Sequence, residues 1–61
     1  MKLGKYKHFK GKVYDVLGVA VHTETNEKLV IYSDGENFFA RPKDMFFEKI
    51  DGKQRFEFVD Q

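Results

Sequence analysis

The side chains able to do chemistry are few, and their spacing narrows what that chemistry can be. There is no cysteine, so neither a thiolate nucleophile nor a thiolate metal site is available. Ser33 sits in the polar run Ser33-Asp34-Gly35-Glu36-Asn37 with no base or oxyanion-hole motif beside it. The glycines are dispersed and form no phosphate-cradling loop. Two carboxylates sharing acid and base roles need a cleft, which so short a chain seldom encloses. Catalysis is therefore not expected, and no cofactor is implied.

Binding chemistry has better material. His8 and His22, if neighbouring strands brought them together with Glu24, would give two imidazoles and a carboxylate of the kind that holds zinc or iron. No spacing such as HxxxH enforces that meeting, so a structural or solvent-facing role is the simpler reading of each histidine. Arg41 stands between Phe39 and Pro42. Its guanidinium fork suits a carboxylate or phosphate ligand, or else an internal ion pair with Glu24 or Asp44 and a stem packed on aromatics. Residues 1–12, MKLGKYKHFKGK, hold five lysines with Tyr6, His8 and Phe9 among them. Such a mixture can hold a phosphate backbone and stack bases through Lys5, Tyr6, Lys7, Lys10 and Lys12. The plainer reading is an edge strand whose lysines face water and discourage edge pairing.

Aromatics are the strongest lead. Seven Phe and three Tyr in 61 residues exceed what one small interior should take up. In the pairs Phe38-Phe39 and Phe46-Phe47, strand alternation sends one ring outward. A surface strip of Tyr14, Tyr32, Phe39 and Phe46 beside Arg41 would be a ligand site for a protein or peptide partner, a base-stacking platform or a homodimer interface. The bland alternative is that the rings close both ends of a tiny barrel.

The elements that must position these residues are strands. Val13 to Val21 is rich in valine, with Tyr14 and Leu17, and apolar on both faces. Such a strand is covered on both sides or bends and exchanges its faces, and Gly18 is the expected place of that bend. Residues 23–28 are polar turn, and Leu29 to Tyr32 returns as a short apolar strand. Asp34-Gly35 predicts a tight hairpin to a strand over Phe38 to Arg41, which Pro42 ends. Residues 42–45 fit one 3₁₀ or helical turn. Met45 to Ile50, the turn at Asp51-Gly52, and Gln54 to Val59 complete the chain, with Phe56 and Phe58 on one face of the last strand.

The whole is one all-β domain over residues 1–61, a small SH3-like, partly open barrel of five to six short antiparallel strands. Net charge is +1 with 34% charged residues, which gives no general attraction to nucleic acid or membrane. No apolar run reaches the length of a membrane span or a signal-peptide core, so a cytoplasmic protein is expected.

Taken in order, Gly4-x-Tyr6-x-His8-Phe9-Lys10-Gly11, Tyr14-x-Val16-Leu17, Ala20-x-His22-Thr23-Glu24-Thr25, Leu29-Val30-Ile31-Tyr32 and Arg41-Pro42-x-x-Met45-Phe46 resemble the DUF1653 family of small, mostly bacterial proteins of undetermined function. The resemblance spans nearly the whole chain. It implies a small β-barrel and no particular activity. One departure stands out: the hairpin SDGENFFA is more compact than the resemblance implies, and it lacks a tryptophan. The leading expectation is a non-catalytic binding module using Arg41 and exposed aromatics. The alternative is a small nucleic-acid-binding protein.

Overall fold

The computed structural model describes residues 1–60, and of Asp60 only the backbone. In chain order the elements are β1 (Gly4–His8), β2 (Val13–Val21), β3 (Lys28–Ser33), β4 (Phe38–Pro42), α1 (Lys43–Phe46), β5 (Lys49–Ile50), β6 (Lys53–Gln54) and β7 (Phe56–Asp60). Five of the strands form one antiparallel sheet in the order β4-β3-β2-β1-β7, and β5 and β6 make a separate two-stranded pair. The edges β4 and β7 do not pair, so the sheet is a partly open barrel, as the alternation of short strands and turns predicts.

The bend in β2 falls where the sequence puts it. Register shifts between Val16 and Gly18: Val16 lies opposite Tyr32, but Val19 lies opposite Val30. Before the shift Tyr14 and Val16 point into the barrel; after it Val19 takes that face. Glycine is not strictly required, since a Cβ at position 18 would meet nothing within 4 Å. The turns use backbone freedom more sharply. Asp51 and Gly52 both have positive φ, 51° and 81°, which is what a two-residue type I′ hairpin between β5 and β6 demands. At the β3–β4 turn only Gly35 has positive φ. Asp34 instead serves as an acceptor, its carboxylate taking the N–H groups of Glu36 and Asn37 at 2.9 and 2.8 Å.

The helical turn expected over residues 42–45 forms one residue later as α1, with the Phe47 N–H donating to the Lys43 carbonyl at 3.2 Å. Two strand expectations need correction. Met45 to Ile50 is not a continuous strand, because that turn carries Phe46 down into the core and leaves only Lys49–Ile50 extended. The last strand is likewise broken at Arg55. Its N–H donates to the Glu48 carbonyl, and its own carbonyl accepts from Phe9, which ties the β5–β6 pair to the sheet.

The core is aromatic. Tyr6, Val16, Val30, Tyr32, Phe46 and Phe56 are buried, with Tyr14, Phe39 and Phe58 packed against them. Phe46 and Phe56 stack face to face, with centroids 4.2 Å apart and planes at 2°. Tyr6 and Tyr32 meet Phe46 edge-on at 5.4 and 5.6 Å. The Tyr6 hydroxyl donates to the Lys2 carbonyl at 2.6 Å, and burial raises its pKa. One ring of the pair faces out, as strand alternation requires: it is Phe38, 77% exposed, while Phe39 turns inward.

Removing the fully buried Phe46 ring (Phe46→Ala) is expected to cost about 3–5 kcal/mol, against roughly 3–9 kcal/mol in total for a chain of this length. Phe38→Ser should shift stability by no more than ~0.5 kcal/mol. Urea unfolding followed by circular dichroism measures both. A second prediction concerns acid. The Asn37 and Glu36 N–H groups, then Lys12, hold the Asp34 pKa down from 3.8 to about 2. A depressed carboxylate stabilises the fold fully above its unfolded pKa and loses that contribution as pH falls through the folded one. Asp34→Asn should therefore be less stable than the parent above pH 3.8, and their urea midpoints should converge as pH approaches 2.

Candidate functional site

Arg41 lies on the edge strand β4 opposite Val30. It shares the parity of Phe39 and so faces the concave side. Its Nε donates to the Tyr32 hydroxyl at 3.2 Å. The predicted internal partners do not reach it: among the described residues the ion pairs are Lys5–Asp15, Lys12–Asp34 and Arg55–Glu48. Glu24 lies in the β2–β3 turn, and Asp44 sits exposed on α1. Arg41 is thus half-buried, anchored at one nitrogen and without a carboxylate.

Around it stand the rings. Tyr32 contacts Tyr14 edge-on at 5.3 Å and Phe39 at 5.4 Å, and Phe39 also meets Tyr14 at 6.1 Å. Tyr14, Tyr32, Phe39 and Arg41, predicted to act together, therefore form one cluster. The expected exposed strip is corrected: Tyr32 is buried, 6% exposed, and meets Arg41 through its hydroxyl, Tyr14 and Phe39 are half-buried, and Phe46 does not join the cluster. The expectation that this ring meets a ligand is corrected by its complete burial, because the helical turn inverts the direction that strand alternation would give it. Phe46 supports Tyr32 from below.

Two further groups, His8 and Arg55, shape the electrostatics of the concave side. Burial lowers the His8 pKa first, followed by the cations Arg55, Lys10 and Arg41. His8 is thus neutral near pH 7, in keeping with its Nδ1 accepting the Lys10 N–H at 3.1 Å. Arg55 donates through Nη2 to Glu48 at 2.7 Å, while its Nε is buried with no partner among the described residues. Alternation with Phe56 and Phe58 would put Arg55 on the solvent side of the last strand. The break at that position turns it inward, and no signal in the alternation marks it.

The other predicted residues are dispersed. Tyr6 is 3% exposed and belongs to the core, so it offers no stacking face. Lys5 and Lys7 point to the convex side by parity, and Lys5 pairs with Asp15 at 3.0 Å. Lys10 and Lys12 follow at the β1–β2 turn, with Lys12 held by Asp34 at 3.3 Å. These lysines do not share one face. The metal expectation also fails on geometry. His8 and His22 lie at opposite ends of the nine-residue β2, separated along it by on the order of 25 Å. The His22 Nδ1 is occupied by the N–H groups of Glu24 and Thr25. No group of three or more metal-ligating side chains occurs among the described residues.

A groove of about 480 Å³ lies away from Arg41. It lies between β1 and the β5–β6 hairpin, lined by Lys7, His8, Phe9, Lys49 and Lys53 with Glu57 opposite Lys7. It is open, and Phe9 is its only phenyl ring. Arg41 has the narrower but better-defined chemistry: an anchored guanidinium against an aromatic wall.

Comparison with known proteins agrees with this architecture. A crystal structure of a DUF1653 protein from Bordetella bronchiseptica is similar over 97% of this chain and 87% of that one, with a TM-score of 0.86 and 31% identity. No curated protein matches. A family model described as a protein of unknown function, DUF1653, matches residues 4–58. With motif order, fold and family model in agreement, the chain belongs to the DUF1653 family.

Proposed function

We propose that this protein is a non-catalytic binding module of the bacterial cytoplasm that receives a carboxylate or phosphate of a protein partner on Arg41, beside Tyr14, Tyr32 and Phe39. The observation that carries this reading is the state of Arg41: Nε held by Tyr32 at 3.2 Å, the terminal nitrogens unpaired by any carboxylate among the described residues. Fixing one nitrogen removes much of the side-chain entropy that ligand binding would otherwise cost. The remaining N–H groups form a fork whose geometry matches a carboxylate or phosphate. Because the Tyr32 oxygen accepts from Arg41, its proton is free to donate to the same anion. The surrounding rings lower the local dielectric and strengthen the pairing. Lack of cysteine fits a reducing compartment, and no described helix is long and apolar enough to cross a membrane.

The nucleic-acid alternative has less to rest on, since Tyr6 is in the core and Lys5 and Lys12 are paired. Phenyl phosphate, which carries both a ring and a dianion, separates the readings by NMR titration of the labelled protein. Saturable shifts are expected at the Arg41 Nε–H and the Tyr32 and Phe39 amides, lost in Arg41→Gln and weakened in Arg41→Lys, which keeps the charge but not the fork. Shifts that centre on Lys49 and Lys53 and survive Arg41→Gln would overturn the assignment. Binding of a short oligothymidine that weakens steeply with salt would transfer it to nucleic acid.

A further inference from the structure

We propose that the free edge of β4 takes up an extended segment of a partner protein as an added antiparallel strand, with an acidic residue of that segment set against Arg41. This rests on the anion-binding reading of Arg41 and carries it further, to the class of partner.

The edge is open: β4 ends the sheet and pairs only with β3. Its hydrogen-bond parity follows from the turn. The Asp34 N–H donates to the Asn37 carbonyl, which makes Asp34 and Asn37 a hydrogen-bonded pair. Antiparallel ladders alternate hydrogen-bonded and open pairs. In the observed register, with Ser33 opposite Phe38 and Leu29 opposite Pro42, Tyr32–Phe39 and Val30–Arg41 are then hydrogen-bonded to β3. Phe38, Ala40 and Pro42 fall at open pairs. The missing N–H of Pro42 therefore costs the sheet nothing. The N–H and C=O groups of Phe38 and Ala40 point away from the sheet, while the carbonyl of Pro42, the N-cap residue, serves the first turn of α1. That row of alternating donors and acceptors is what an added strand requires.

The edge is lightly guarded: of the lysines, prolines, inward charges and bulges that protect natural edges, β4 has only Pro42 at its end and the inward Arg41. The other edge, β7, carries Glu57 and Asp60, while β4 presents Phe38-Phe39-Ala40 and a single charge, Arg41. Side-chain alternation then specifies the guest. A residue opposite Arg41 on the concave side meets the unpaired guanidinium and is acidic. The next, opposite Ala40, lies on the convex side beside the exposed Phe38 and is apolar. Charge selects a foreign segment over a second copy. Pairing β4 with itself about Ala40 would set two Arg41 side chains on one concave face, offset by two residues or about 7 Å.

The test uses the full chain and a capped heptapeptide of alternating valine and threonine, with one glutamate placed to meet Arg41 when a central valine pairs with Ala40. Amide exchange at Phe38 and Ala40 should slow by about tenfold or more on saturation, since neither N–H is bonded in the free protein. Replacing glutamate by glutamine should weaken binding about tenfold, and N-methylating the residue opposite Ala40 should abolish it. If phenyl phosphate still engages Arg41 but the peptide leaves Phe38 and Ala40 exchange unchanged, strand addition is wrong and the anion site stands. If phenyl phosphate fails as well, both fall. Protection of those amides in the free protein, with a doubled mass by light scattering, would give the edge to a second copy and overturn the proposal.

Discussion

The stack of Phe46 on Phe56 is the contact on which the rest of the molecule depends. The sheet does not close, so no ladder of hydrogen bonds joins β3 and β4 to β7. What spans the gap is a ring from α1 lying flat on a ring from β7, 4.2 Å apart, with Tyr6 and Tyr32 set edge-on around them. Each fully buried phenyl contributes about 1.5–3 kcal/mol from removal of apolar surface. Well-oriented aromatic pairs add roughly 0.5–1.5 kcal/mol each. In a domain whose whole stability is of that order, these rings hold the two halves of the sheet in one curvature. They also fix where Tyr32 stands, and through Tyr32 where Arg41 points.

Charge is distributed to leave that arginine unopposed. Lysines that strand alternation turns outward find carboxylates across the ladder or the turn: Lys5 with Asp15, Lys12 with Asp34. Such exposed pairs contribute little stability, but they neutralise the convex face and the β1–β2 end. Arg55 is taken by Glu48, and His8 stays neutral because burial and nearby cations disfavour its charged form. A chain of net charge +1 thus keeps a directed positive site while most of its surface is balanced. Net charge alone conceals this.

Much of the fold was legible, because it follows from rules that act over a few residues. Valine-rich alternation fixed the strands, Gly18 marked the register shift, and Asp51-Gly52 specified its turn. Parity required one ring of the Phe38-Phe39 pair to face out but did not say which, and Phe39, expected in the exposed strip, is the inward one. Legibility failed where a contact depends on chain segments far apart. The two histidines look adjacent on paper, yet His8 ends β1 at the β1–β2 turn while His22 follows the far end of β2, a full strand length away. Phe46 was misread because one helical turn replaced two strand residues and reversed a side chain. Nothing local distinguishes an arginine with a carboxylate partner from one without. The clustering of Arg41 with Tyr14, Tyr32 and Phe39 could be guessed from their types, but its anchor on Tyr32 could not.

Openness links the stability of this fold to the binding edge proposed for it. Closing the barrel by pairing β4 with β7 would satisfy the outward N–H and C=O groups of Phe38 and Ala40, though the Phe38 ring would stay on the convex face. It would also cover Arg41 and remove the edge proposed to take a partner strand. A small domain that leaves its sheet unclosed gives up ladder hydrogen bonds worth about 0.5–1.5 kcal/mol each. It offsets that loss with an unusually aromatic core, which takes up Phe46 and Phe56 fully and Phe39 and Phe58 in part, with Tyr6, Tyr14 and Tyr32, and leaves Phe9, Phe38 and Phe47 exposed. Most of the rings first taken as surplus are the compensation for an open edge. Those left at that edge, Phe38 outside and Phe39 within, flank the one arginine with no internal carboxylate among the described residues.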